Sequence, residues 1–170
     1  MTQVKKEVIA VCPGSFDPVT KGHVDIITRA AGMFSHVIVV VSNNPDKTPV
    51  FSTDERVSLL KKALSGVLNV TVDSFSGLLA GYARKNGATV IVKGLRAMSD
   101  YEYEFQQALT NKKLYPEAET VFLVTRAENM YLSSSLVKQI ASLDGDISEF
   151  VPESILSEIR AKFRKGACVV

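Results

Sequence analysis

Short apolar runs alternate with amphipathic stretches along the whole chain, and the alternation predicts most of its elements. Val8-Ile9-Ala10-Val11-Cys12 reads as a buried strand that stops at the turn signal Pro13-Gly14. From Gly22 to Phe34, Ile26, Ile27, Ala30, Ala31 and Phe34 recur at helical spacing on one side. Val37 to Val41 is a second strand, all β-branched, and the polar loop Ser42-Asn43-Asn44-Pro45-Asp46 follows it. Ser52 and Glu55 form a capping box for a helix through Leu64. Val70-Thr71-Val72 is a third strand, and a helix from about Leu78 to Asn86 ends at Gly87. Thr89 to Val92 is the fourth strand. Ser99 is placed as the cap of a long helix to Tyr115, with Tyr101, Phe105, Ala108 and Leu109 as its buried face and Pro116 as its stop. Thr120 to Val124 is the fifth strand. Ser133 caps a helix through Leu143 that Gly145 ends, and Pro152 suits the first turn of a last helix to Phe163.

Strand and helix repeated five times predict an α/β class: a Rossmann-like five-stranded parallel sheet with helices on both faces. In such sheets ligands bind at the carboxyl ends of the strands, near the point where strand order reverses. The loops after Cys12, Val41, Val72, Val92 and Val124 are therefore the places to search. A length of 170 residues suits one domain, 1–170. The net charge of +2 is too small to imply nucleic acid or a membrane surface, so neither partner is expected and phosphate binding must come from locally placed cations. Cys12 and Cys168 read as free thiols, and no Cys/His cluster suggests a metal site. The N-terminus lacks a signal-peptide apolar region, and no run approaches the ~18 apolar residues of a membrane span, so the expected location is cytoplasmic.

The first loop reads Pro13-Gly14-Ser15-Phe16-Asp17-Pro18-Val19-Thr20-Lys21-Gly22-His23. It is neither the glycine-rich dinucleotide fingerprint nor a P-loop. It does join a strand to a helix N-terminus, where free N–H groups and the helix dipole favour anions. Gly14 and Gly22 permit close approach, and His23 offers an imidazole N–H to phosphate oxygens. A lone Gly-His pair would read as a capped turn with a surface histidine. The whole string, Gly-Ser-Phe-Asp-Pro followed by Thr-x-Gly-His, resembles the signature of the nucleotidyltransferase superfamily. His36, at the opposite end of a strand, reads as an ordinary surface residue.

Cations stand in the other loops. Lys47, held between Pro45 and Pro49, is a point charge suited to phosphate, and a solvated loop lysine is an equal reading of it alone. Lys93-Gly94-Leu95-Arg96 sets two cations around a glycine, and Arg96 can fork onto phosphate oxygens. Asp100, Glu102 and Glu104 complement a helix dipole; Glu104 also suits hydrogen bonds from a ribose or adenine. Ser133-Ser134-Ser135 opens a helix with hydroxyls and N–H groups together, a good phosphate cradle, and a serine cap would explain one serine but not three.

Together with Lys-Gly-Leu-Arg-Ala, Asp-Tyr-Glu-Tyr-Glu and Ser-Ser-Ser-Leu-Val-Lys, the first loop resembles the bacterial phosphopantetheine adenylyltransferases, in order and at natural spacing from about residue 8 to 163. The resemblance implies transfer of the adenylyl group of ATP to 4′-phosphopantetheine, giving dephospho-coenzyme A and pyrophosphate. It places Ser15 and Phe16 at the ATP and acceptor site, and gives His23, with Lys47 and Arg96, the catalytic role. Lys47, Leu79 and Lys93 would meet the phosphopantetheine. Gly94, Leu95, Arg96 and Glu104 would bind ATP, as would Asn129, Met130, Tyr131, Leu132, Ser133, Ser134 and Ser135. It also implies Mg2+ with ATP and a homohexamer. Ser15 stands where threonine is common in that family, and Lys93 where arginine is common. The alternatives are another adenylyl- or cytidylyltransferase with a different acceptor and a non-catalytic ATP-binding sensor. The apolar loop Ser74-Phe75-Ser76-Gly77-Leu78-Leu79 suits a pantetheine arm better than a pyridine nucleotide.

Overall fold

A computed structural model describes residues 7–42, 48–96 and 98–166. Five strands form one parallel sheet: β1 (Ile9–Gly14), β2 (His36–Ser42), β3 (Val70–Phe75), β4 (Val90–Leu95) and β5 (Glu119–Val124). Their order is β3-β2-β1-β4-β5, so the switch point lies between β1 and β4. Among the described residues six α-helices connect or cover them: α1 (Lys21–Met33), α2 (Thr53–Ala63), α3 (Leu79–Lys85), α4 (Met98–Leu114), α5 (Ser134–Ser142) and α6 (Glu153–Gly166).

The two-residue period of a strand divides the core. Val37, Val39 and Val41 of β2 join Ala10 and Cys12 of β1 under α1, α2, α5 and α6, where Ile27, Leu60, Val137, Ile155 and Ile159 are buried. Ile38 and Val40 point the other way with Val11, against Ala80, Tyr82 and Ala83 of α3 and against Tyr115 and Ala118. Each fully buried aliphatic side chain favours the fold by roughly 1.5–3 kcal/mol, which makes the first, larger cluster the main source of stability. Among the described residues no helix is long and apolar enough to cross a membrane.

The fold class expected from the alternation is the one observed, and the differences lie at element ends. β1 runs on through Pro13 to Gly14, because β2 pairs along this stretch (Pro13 with Val40, Gly14 with Val41) while pairing with β4 is confined to Ala10 and Val11. A proline is tolerated where a neighbouring ladder has already ended. Lys93, Gly94 and Leu95 belong to β4 rather than to the loop after it. α4 begins at Met98, so Ser99 sits inside its first turn instead of capping it. The left-handed residue after α5 is Asp144, at φ 57°, one position before the expected Gly145. Pro152 precedes α6, which continues past Phe163 to Gly166.

The assignment of a buried face to α4 needs correction. Tyr101 and Phe105 are each 42% exposed and Leu109 57%, whereas Asn111 and Tyr115 are buried. Helical spacing identifies an apolar stripe but cannot say whether its partner lies in the same chain.

Candidate active site

The loop from β1 to α1 is built by contacts from distant segments. Gly14 is required there: a Cβ on it would lie 2.7 Å from Cζ of Phe16. Phe16 is buried in a left-handed conformation, φ 47°, and Asp17-Pro18 is a cis peptide. Asp17 is buried and accepts from the backbone N–H groups of Val50 at 3.1 Å and Phe51 at 2.9 Å, and from Lys138 Nζ of α5 at 2.7 Å. Burial pushes its carboxyl upward, but the Lys138 ammonium and the two N–H donors outweigh burial and hold it below the usual carboxylate range. Ser134 Oγ–H donates to the Pro18 carbonyl at 2.8 Å, and Arg56 Nη1 donates to the Ser15 carbonyl at 2.9 Å.

His23 occupies the third position of α1, where it completes a capping box with Thr20. Its Nδ1 lies 3.0 Å from the Thr20 N–H and must accept that bond. A neutral ring whose Nδ1 accepts carries its proton on Nε2, so the box fixes the tautomer and leaves Nε2–H as a donor. Enclosure by protein, reinforced by the positive charge of Arg96, lowers the His23 pKa to about 4. The ring is therefore neutral at pH 7. Phe16 supports it edge-on, with ring centroids 5.1 Å apart.

Two further segments close on this helix start. Asn129 and Leu132 lie against Gly22, with Asn129 Cβ 3.6 Å from where a Cβ on Gly22 would stand. Arg96 Nη1 donates to the Leu132 carbonyl at 3.1 Å, tying the end of β4 to the same segment. Gly94 answers a packing demand as well as an approach: a Cβ there would meet Ile26 of α1 at 3.1 Å. Of the three serines, Ser133 caps α5 through its bond from the Leu136 N–H, Ser134 pins Pro18, and Ser135 is exposed. Met130 and Tyr131 are exposed on the rim beside them.

Lys93 and Glu104 pair with each other. Lys93 Nζ lies 3.0 Å from Glu104 Oε2 and 3.4 Å from Gln107 Oε1. Glu104 Oε2 is enclosed yet has no aligned hydrogen-bond donor among the described residues. Leu79 opens α3 and packs with the second core cluster, on the far face of the sheet from His23. Lys47 lies outside the described residues.

The arrangement offers fixed N–H donors and cations to an anion. Burial pushes the Cys12 thiol up to about 12, which keeps it protonated and unreactive. Among the described residues no group of three or more His, Cys, Asp or Glu side chains could hold a metal ion. Asp17, Arg56 and Lys138 were not among the candidate residues read from the sequence. Asp17 stood inside the Gly-Ser-Phe-Asp-Pro string and Lys138 at the end of Ser-Ser-Ser-Leu-Val-Lys, whereas Arg56 carried no local sign.

A parallel sheet with an anion-ready helix start at its switch point and a donor histidine fixed in that start defines a nucleotidyltransferase, and residues 11–140 match the model of the cytidylyltransferase-like family. The chain is 55% identical to the phosphopantetheine adenylyltransferase of Heliobacterium modesticaldum over 91% of this chain and 92% of that one. It is also 55% identical to that of Caldanaerobacter subterraneus subsp. tengcongensis, over 93% and 99% respectively. A solved structure from Vibrio parahaemolyticus, named "Putative Nicotinate-nucleotide Adenylyltransferase", superposes with a TM-score of 0.66 over 90% of this chain and 98% of that one; at 16% identity it bears on the fold alone. The chain belongs to the phosphopantetheine adenylyltransferase family.

Proposed function

We propose that this chain, acting as one catalytic domain, transfers the adenylyl group of ATP to the phosphate of 4′-phosphopantetheine, releasing pyrophosphate and giving dephospho-coenzyme A. Its family membership supports the reaction, and the observation that carries the mechanism is the fixed His23 tautomer. A phosphate oxygen of the acceptor attacks the α-phosphorus of ATP. The new P–O bond forms as the bond to the β-phosphate bridge breaks, and pyrophosphate leaves with the electron pair. The acceptor is already an anion, so no base is needed to make it a nucleophile. The work is alignment and charge neutralisation.

His23 acts as a neutral Nε2–H donor to the reacting phosphate, and Arg96 supplies charge beside it. Ser15, Phe16, Gly94, Leu95 and the segment from Asn129 to Ser135 make the ATP side. Glu104, whose enclosed Oε2 pairs with Lys93 without an aligned hydrogen bond among the described residues, suits the nucleoside. Lys93, Leu79 and Lys47 make the acceptor side. Lys93 exchanges its Glu104 partner for the acceptor phosphate, and as lysine it gives charge without a fork. Mg2+ fits this site only as a companion of ATP, since Asp17 is spent on Lys138 and two N–H groups and no carboxylate cluster exists among the described residues. It would neutralise phosphate charge, held by the phosphates and water.

The exposed stripe of α4 supports a homohexamer. Tyr101 stacks on Phe105 at 5.6 Å and lies 6.3 Å from Phe122 of the edge strand β5, giving a contiguous apolar face that a second copy would cover. A cytoplasmic location belongs to the same reading, with the free Cys12 in keeping. The test is pyrophosphate release from ATP and Mg2+ with 4′-phosphopantetheine, with nicotinamide mononucleotide as a parallel acceptor. Release with phosphopantetheine alone is expected. Release only with the other acceptor would refute the acceptor, and ATP binding without release would make the chain a sensor. Light scattering on wild type and Phe105→Glu checks the assembly.

A further inference from the structure

Arg56 stands behind the first loop as a buried cation that the functional reading has not used. It projects from α2 and is 3% exposed. Nη1 grips the Ser15 carbonyl at 2.9 Å, Nε lies 3.4 Å from the Ser52 carbonyl and Nη2 3.3 Å from Thr53 Oγ1. Burying a guanidinium is costly unless its bonds are made and something depends on them. The Ser15 carbonyl belongs to the peptide that joins Ser15 to Phe16. In a trans peptide the N–H points opposite to the carbonyl, so the Arg56 grip turns the Phe16 N–H away from α2.

That N–H has no partner among the described residues, although Phe16 is only 3% exposed. Buried backbone donors without partners are rare and mark either strain or a missing ligand. The strain is present here: Phe16 is held at a φ of 47°, with its ring against His23. The guanidinium also draws electron density from the carbonyl, which strengthens the N–H at the other end of the same peptide.

We propose that Arg56 is a positioning residue that orients and polarises the Ser15–Phe16 peptide, so that the Phe16 N–H and His23 Nε2–H donate to the same phosphate. This rests on the adenylyl-transfer reading. A guanidinium is needed because it reaches Ser15, Ser52 and Thr53 at once, which an ammonium on a flexible stem does not. α2 also pairs with α6, through Lys162 to Glu55 at 2.7 Å and Lys62 to Glu158 at 2.8 Å.

The test compares wild type, Arg56→Met and Arg56→Lys in the full chain, by steady-state pyrophosphate release and by the 15N–1H signal of the Phe16 amide titrated with ATP. In wild type the Phe16 amide should move downfield with ATP. In Arg56→Met, kcat should fall on the order of 10²-fold, as expected for a misplaced donor, with the ATP KM changed only a few-fold and the amide shift lost. Arg56→Lys should recover part of both, and it carries the test if the methionine variant fails to fold. Folded variants with wild-type kcat, or a Phe16 amide that ignores ATP in wild type, would overturn the proposal. An amide that responds to ATP and loses the response in the variants, in a protein that does not turn over 4′-phosphopantetheine, would support the positioning role while refuting the acceptor.

Discussion

The two loops that meet at the switch point use charge in opposite ways. In the β1–α1 loop the charged groups face inward and hold backbone: Asp17 binds two N–H groups and Lys138, and Arg56 binds a carbonyl. In the β4–α4 region Lys93 and Glu104 face each other across a half-buried gap. The first arrangement fixes N–H donors before any ligand arrives. The second stores two charges in a pair that a ligand can exchange. Donors fixed in advance need no reorganisation during reaction, and exchangeable pairs suit binding and release.

The largest break in this comparison is expected at the fixed loop's reactive end. His23→Ala should lower kcat on the order of 10²–10³-fold, as for loss of one transition-state donor, while ATP binding weakens far less. Steady-state kinetics with ATP binding measured separately check it, and near-wild-type turnover would remove His23 from the mechanism. Next, Asp17→Ala leaves Lys138, the buried Phe51 N–H and the Val50 N–H without their partner and should destabilise the protein by about 3 kcal/mol, seen as a lowered thermal midpoint. Gly14→Ala drives a methyl into the Phe16 ring and should cost about 1–3 kcal/mol with a loss of kcat; a loss of stability alone would detach the Phe16 ring from function.

The pH dependence sharpens the contrast. The His23 pKa falls from 6.5 in an unfolded chain to about 4 here. Between those values the unfolded chain takes up a proton that the native ring refuses, so stability declines as pH falls through that window. Asp17 acts at lower pH: its depressed pKa gives stability that is present above the unfolded value and lost as pH falls through the native one. Urea midpoints at pH 5 and 7 should differ less in His23→Gln, which keeps the capping box but cannot titrate. The smallest effect belongs to the exchangeable pair. Glu104→Gln should change stability by less than about 1 kcal/mol and raise the ATP KM several-fold; an unchanged KM would take Glu104 out of the nucleotide site.

The alternation of apolar runs and amphipathic stretches was enough to read the class of fold, because strand and helix periods are local properties of the chain. The local signatures of the site were legible too: the Gly-Ser-Phe-Asp-Pro and Thr-x-Gly-His strings are nearly contiguous and the serine cap of α5 is adjacent to the helix it opens, whereas the capping box that Thr20 and His23 form emerged only in the structure. Tertiary structure alone decided what holds the site in shape. Asp17 meets Phe51 and Lys138, and Arg56 meets Ser15, across separations of 34, 121 and 41 residues, and no periodicity links positions so far apart. It also decided that the stripe of α4 faces outward and that Lys93 is paired with Glu104. A sequence pattern states which side chains must avoid water or carry charge; which partner each one finds depends on how the layers stack, and that is set by the packing of the whole sheet.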